Sequence, residues 1–389
     1  MWFDAIILTE DAPLPITARF SCAMTSPATH ATAEGTARYR DRFADRPGHF
    51  RQTQGLWLSS IGLGTYLGDP TDAIDKAYTQ AIGRAVELGC NVIDTAANYR
   101  HQRSERAIGK ALKRLLKERI IQRDEIVIAT KGGYLPFDRD LPPDRDRYIR
   151  ETFIDSGLAA PDDIVNGQCL APRFLRAMVE QSRRNLGVNC IDIFYLHNPE
   201  SQLRTIGRAA FRERLSAAFD ALEEAAADGL IRFYGIATWN GFRVAPTAPD
   251  YLSLSDVNAL ARQERGMKHR CRFIQLPFNL ALLEAVTLRN QVVSHEKMAV
   301  LEAAAHYGLS VIGSASLLQA RLLDQLTEPV REKFNGLTTD AQRCLQFVRS
   351  TPGVTTALIG MSHVAHVEEN LATAGIAPLT PEEYQAVFA

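Results

Sequence analysis

The chain of 389 residues carries 44 Lys and Arg against 45 Asp and Glu, a formal net charge of −1, so no global positive field exists to attract nucleic acid or an anionic membrane. With 46% hydrophobic and 8% aromatic residues it has the composition of an ordinary globular protein, which excludes disorder throughout. At this length roughly three quarters of the unfolded surface is buried on folding, enough for one α/β barrel or for about two or three smaller domains.

Residues 1–49 read as an N-terminal arm, polar and rich in Ala, Thr and Arg, without a sustained apolar period. The first stretch carries acids where a signal peptide has its positive region, and no apolar run reaches membrane-spanning length. A cytoplasmic location is therefore expected. Met24 opens the polar stretch and is a candidate start, in which case residues 1–23 precede the native chain. The six cysteines, Cys22, Cys90, Cys169, Cys190, Cys271 and Cys344, form no C-x-x-C pair and are expected as reduced thiols.

From Gly55 onward short β-branched runs alternate with amphipathic stretches, giving eight strand candidates over 59–65, 91–96, 125–131, 190–198, 231–238, 272–279, 309–316 and 355–361. Most are continuously apolar, which implies burial on both faces and hence parallel strands under helices. Helices are expected at 75–88, 104–118, 173–186, 212–228 and 294–307, with Gly89, Gly187, Gly229 and Gly308 placed to take left-handed caps. Eight such units close a barrel or open into a doubly wound sheet. The cluster GLGTYLG (62–68) lacks the G-x-G-x-x-G spacing and does not open a helix, which favours the barrel. The expected fold is α/β, a (β/α)8 TIM barrel over residues 50–389 with an N-terminal extension and long loops at the C-terminal face of the strands.

Barrel chemistry sits at the C-terminal strand ends, and four polar residues stand there: Asp94 in VIDTA, Tyr99 five residues on, Lys131 in IATKGG and His197 in FYLHNPE. Each has an ordinary structural reading: Asp94 as a helix cap, Tyr99 as a rim aromatic, Lys131 as a solvated strand end, His197 as a satisfied core histidine. Together at one face they suit proton transfer to or from an oxygen. A Lys beside the phenol is expected to lower the Tyr99 pKa from its usual value of about 10, leaving Tyr99 as general acid or base with His197 directing a carbonyl oxygen. No HExxH pattern is present, and His363 and His366 lack neighbouring ligands, so no metal is expected. Hydride transfer with a nicotinamide fits a site that supplies only a proton partner. A Schiff-base aldolase using Lys131, and a nucleotide-binding regulatory or scaffold barrel with little turnover, are the competing readings.

At these residues, and across SSIGLGTYLG, AVELGCNVIDTAANY, SERAIGKAL, IVIATKGG, RNLGVNCIDIFYLHNP, GLIRFYGIAT, FIQLPFN and ALIGMSHVAHVEENL, the chain resembles an aldo-keto reductase from about Phe50 to Leu371. The resemblance implies an Asp, Tyr, Lys, His tetrad at Asp94, Tyr99, Lys131 and His197. It implies a small-molecule carbonyl or alcohol as substrate, NADP as cofactor with NAD the second choice, and Tyr as the acid for metal-free hydride transfer. It further implies cofactor contacts at Gly64, Thr65, Thr238, Gln275, Ser314, Leu317, Gly360, Ser362, His366, Glu369 and Asn370. The family's Ser-Asn pair after strand five appears here as Ala237 and Thr238, and its stacking Tyr after strand seven as Ser314, which leaves Trp239 as a candidate stacking group. No Lys or Arg stands in the 360–366 segment to pair with a 2′-phosphate, a contact of about 1.5 to 3 kcal/mol, although His363 or His366 can substitute weakly. Two long connections leave the same face: 132–172, expected either to shape the substrate pocket or to pack on neighbouring helices, and 240–254, expected to cover the dinucleotide.

Overall fold

The computed structural model describes residues 28–323 and 325–388. Cys22, Met24 and the segment 1–23 lie outside the described residues.

Eight parallel strands close into a barrel in the order expected for successive βα units. They are β1 (Ile61–Gly64), β2 (Val92–Asp94), β3 (Val127–Gly132), β4 (Ile191–His197), β5 (Ile231–Ala237), β6 (Cys271–Pro277), β7 (Ser310–Ser314) and β8 (Val354–Gly360). Every residue of β3 and β4 is buried, because one face fills the barrel and the other meets the helices. Register aligns the polar ends: Gly360 opposes Gly64, Gly64 opposes Asp94, and His197 opposes Ala237. The C-terminal rim thus carries Asp94, Lys131, His197, Gln275 and Ser314.

Helices cover the outside: α1 (Ala33–Asp41), α2 (Asp72–Glu87), α3 (Arg103–Lys117), α4 (Pro172–Leu186), α5 (Leu203–Ala227), α6 (Leu254–Arg265), α7 (Val300–His306), α8 (Asp340–Ser350) and α9 (Val364–Ala372). The 212–228 expectation recovers the second part of α5, whose first turns are set off by Gly207 at φ 76°. The 294–307 expectation is corrected: Gln291–Val293 and Glu296–Met298 form an antiparallel hairpin, and the helix starts only at Val300. Ser294 and His295 take φ of 49° and 73°, a two-residue turn made without the Gly that usually announces it.

The N-terminal end of the barrel is plugged. Phe50–Thr53 and Leu56–Ser59 pair as a hairpin, and Leu56 and Leu58 pack with Val92, Val127, Phe233 and Phe273 inside the barrel. Ala31, from the expected arm, joins this layer, and its N–H donates to buried Asp192 at 2.7 Å. Helix α1 follows, tied by Arg38 to Asp124 at 2.6 Å and Glu125 at 2.9 Å. Among the described residues this layer fills the base of the barrel. Cys90, Cys169, Cys190, Cys271 and Cys344 are free and buried. Among the described residues no helix is long and apolar enough to cross a membrane.

Candidate active site

A cavity of about 620 Å³ opens at the C-terminal rim. Strand β2 ends on Asp94, and β3 brings Lys131 alongside, its Nζ donating to Asp94 Oδ1 at 2.5 Å and to the Thr95 carbonyl at 2.8 Å. Asp94 Oδ2 accepts from Gln275 Nε2 at 2.8 Å, so both carboxylate oxygens are held by the barrel interior. Next to Lys131, Thr130 donates to buried Glu105 of α3 at 2.7 Å, which fixes the end of β3 against its helix.

Tyr99 follows the 95–98 connection and precedes a left-handed turn in which Arg100, His101 and Gln102 have φ of 46°, 55° and 67°. The turn is secured by Arg100, which donates to Asp75 at 2.7 Å and to Ser104 at 3.0 Å. The Tyr99 ring stands 5.0 Å from Lys131 Nζ, with the His197 ring edge-on at 5.7 Å and the Tyr66 ring at 5.0 Å. His197 ends β4 and is followed by Asn198 at φ 47°, a conformation supported by Gln168, whose amide donates to the carbonyls of His197 and Asn198.

The electrostatics differ from expectation at Tyr99. Burial, reinforced by the Asp94 charge, holds its phenol well above its ordinary pKa, because the Lys131 charge is already matched by Asp94. Tyr99 is therefore a protonated phenol at neutral pH. Burial lowers the Lys131 pKa, with Asp94 opposing that shift. Burial, followed by the Lys131 charge, keeps His197 well below its ordinary pKa and hence neutral.

All of the expected site residues border this one cavity except Lys131, which is 1% exposed and stands behind Asp94. Asp94, Tyr99 and His197 form its base. Gly64, Thr65, Thr238, Gln275, Ser314 and Leu317 line its walls, and Gly360, Ser362, His366, Glu369 and Asn370 line its far end. Of the lining groups, the Gln275 amide donates to Asp94 at 2.8 Å and the Thr238 hydroxyl to Glu200 at 2.5 Å. After β7 the backbone is again left-handed at Leu318, Gln319 and Ala320 (φ 48°, 55° and 67°), and Gln319 and Ala320 border the cavity.

Sequence reasoning missed Tyr66, Asn98, Asn198 and Glu200, the first three lining the cavity and the last lying beneath its wall. Tyr66 lies inside the quoted glycine cluster and had a position but no chemical signal. Of the 132–172 segment only Tyr134 lines the cavity, its ring 5.0 Å from that of His197. Further along, Phe137 meets His101 at 5.8 Å and Phe153 packs on Phe174 of α4 at 5.7 Å, so these parts of the segment lie on neighbouring elements. No residue of 240–254 borders the cavity, and the segment packs on 284–291 through Arg243–Glu284 at 3.0 Å and Asn290, which donates to Phe242 and Val244.

The aldo/keto reductase family model matches residues 60–389. The chain belongs to that family. A D-threo-aldose 1-dehydrogenase from Pseudomonas is 30% identical over 186 residues, 47% of this chain and 51% of the relative, so the match spans about half of that protein. An uncharacterized oxidoreductase of Bacillus subtilis is 24% identical over 86% of this chain and 93% of its own length. The fold is shared with an aldo/keto reductase from Klebsiella pneumoniae solved in complex with NADP and acetate: TM-score 0.59, 22% identity, covering 88% of this chain and 94% of that one.

Proposed function

We propose that this family member reduces an aldehyde or ketone to an alcohol, reversibly, with Tyr99 as the proton donor and Asp94, Lys131 and His197 in support. That it is an NAD(P)-dependent oxidoreductase follows from its family. The observation that carries the finer reading is the Tyr99 phenol at the base of the cavity, with Lys131 Nζ 5.0 Å from its ring and His197 edge-on beside it.

The dinucleotide fits the residues present. The far end of the cavity offers Asn370 with a buried, unpartnered Oδ1, an acceptor suited to the exocyclic amine of an adenine, beside Glu369 and Ser362. Gly64, Thr65, Gln275, Ser314, Leu317 and Gly360 would hold the remainder, with Thr238 contributing its backbone and His366 standing at the rim. When bound, the nicotinamide supplies the hydride that reaches the carbonyl carbon.

The rest of the chemistry belongs to the protein. A neutral His197 carries one ring N–H with which to orient the carbonyl oxygen. Tyr99, kept protonated by burial, gives its proton to that oxygen, and the phenolate left behind faces the Lys131 ammonium. Asp94 holds Lys131 in place. A Schiff-base role for Lys131 is disfavoured because the amine does not border the cavity. A regulatory barrel with little turnover is the alternative the assay must separate.

The test is a panel of carbonyls and alcohols assayed with NADPH and NADH beside Tyr99→Phe. The variant is expected to lose roughly a hundred- to ten-thousandfold in kcat with unchanged nucleotide Kd. Nucleotide binding with negligible wild-type turnover across the panel favours the regulatory barrel. NADP(H) is the first expectation and NAD(H) the second, and the ratio of their Kd values decides between them.

A further inference from the structure

Under the turn that follows β5 lies a buried carboxyl group to which the reaction above gives no role. Glu200 is 4% exposed and sits in the short helical turn Pro199–Gln202 directly after β4. Its Oε1 accepts from the Thr238 hydroxyl at 2.5 Å, the Trp239 N–H at 2.9 Å and the Asn240 N–H at 3.2 Å. Its Oε2 is buried without a partner. Three donors converging on one oxygen make an anion-holding concavity of the kind formed by successive backbone N–H groups. Burying a carboxyl group with one oxygen unsatisfied is costly, and it is offset here only by the donors that the 238–240 turn presents.

Two consequences reach the cavity. The Thr238 hydroxyl proton is committed to Glu200, and its oxygen accepts from the Gly241 N–H at 2.7 Å, so Thr238 does not donate into the cavity. What this segment does present there is Trp239, 43% exposed at the cavity wall. Both main-chain groups of Trp239 are held by charged side chains: its N–H by Glu200, and its carbonyl by Arg243 Nη1 at 3.0 Å, itself paired with Glu284 at 3.0 Å. The indole projects from a backbone with little freedom to move.

We propose that Glu200 is a positioning residue: by clamping the backbone of 238–240 it fixes the Trp239 indole as the wall against which the nicotinamide ring lies. This rests on the reductase reading above. A large aromatic face held still gains stacking without losing the freedom that a loose loop surrenders on binding.

The test uses the full chain and measures nucleotide Kd by titration, indole-to-dihydronicotinamide energy transfer, and the split between kcat and nucleotide KM. Glu200→Ala is expected to weaken NADPH binding about tenfold and to reduce the transfer signal, with kcat at saturating nucleotide within about twofold of wild type. Glu200→Gln keeps the acceptor oxygen and is expected to bind within about threefold of wild type. In a Trp239→Leu background, Glu200→Ala is expected to cost nothing further, because the two act as one unit. Glu200→Asp, which withdraws the oxygen by one methylene, is read in place of Glu200→Ala if the latter does not fold. Unchanged nucleotide affinity and transfer in Glu200→Ala overturn the proposal, as does an equal loss in the Trp239→Leu background. If the wild-type chain binds neither NADPH nor NADH, the reductase reading itself fails, a result distinct from both.

Discussion

The Asp94–Lys131 pair separates two roles that one mutation confuses. Lys131→Met deletes an ammonium that lies 2.5 Å from Asp94 Oδ1 and leaves the buried carboxylate with Gln275 Nε2 at 2.8 Å as its side-chain donor. Breaking one side of a buried pair costs about 3–5 kcal/mol of stability. Removing both charges in Lys131→Met/Asp94→Asn leaves no uncompensated ion, so most of that loss is expected to return, with a coupling of about 2–3 kcal/mol in the double-mutant cycle. The rate behaves differently. At 5.0 Å from the Tyr99 ring, and at an effective dielectric of about 20, the ammonium stabilises a phenolate by about 3 kcal/mol, or roughly two orders of magnitude in rate. Urea denaturation at pH 7 reads the first quantity and single-turnover reduction at saturating NADPH the second. Because the Asp94 charge also disfavours the phenolate, the double variant is expected to be stable and to regain part of the rate lost in Lys131→Met. A Lys131→Met rate within about fivefold of wild type refutes the electrostatic argument, and a double variant as unstable as Lys131→Met refutes the pairing argument.

Buried His49, held between the Ser60 hydroxyl and the Gly89 carbonyl, has its pKa lowered by burial to about 3. The unfolded chain therefore takes up a proton near pH 6.5 that the folded one refuses, and stability present above that pH falls by about 2 kcal/mol by pH 5. His49→Asn is expected to remove that share of the dependence in urea titrations at the two pH values, leaving the part carried by His197 and His269, whose pKa values burial also lowers. At the other end of the barrel no Lys or Arg lines the cavity among the described residues, while Tyr66, Tyr134 and Trp239 do. A carboxylate on the substrate thus meets no charge-assisted partner, and 4-carboxybenzaldehyde is expected to show a kcat/KM about ten- to a hundredfold below that of benzaldehyde. Equal values for the pair defeat that reading.

The barrel was legible because parallel strands buried on both faces leave unbroken apolar runs, as in Ile191–His197, and because a charged residue ending such a run has few structural reasons to be there. What stayed hidden depends on contacts between residues distant in the chain. Helix α1 buries only Gly35, Thr36 and Tyr39 and is held by Arg38 and Arg42 reaching Asp124 and Glu125, so no apolar period announces it. A cation beside Tyr99 is legible in the sequence, whereas the burial of the phenol and the carboxylate that matches that cation arise only in the closed barrel. Glu200 and Gln168 are ordinary polar residues in sequence, and only the closed barrel brings the first under Thr238 and the second behind His197.

Backbone strain marks the same site without reference to side-chain chemistry. Among the described residues, three consecutive non-glycine residues with positive φ occur at 100–102 and at 318–320 and nowhere else. Each left-handed residue of this kind costs roughly 1–2 kcal/mol, so a run of three persists only where surrounding contacts over-determine it. At 100–102 those contacts are Arg100 on Asp75 and Ser104, and Gln102 on the Phe137 carbonyl and Asn185. One run directly follows Tyr99, and the other forms the cavity wall after β7. A chain that needed only to connect a strand to a helix has cheaper routes, such as a glycine at the tight position. That one run directly follows Tyr99 and the other carries Gln319 and Ala320 of the cavity wall argues that the placement of Tyr99 and of that wall is held for what the cavity binds.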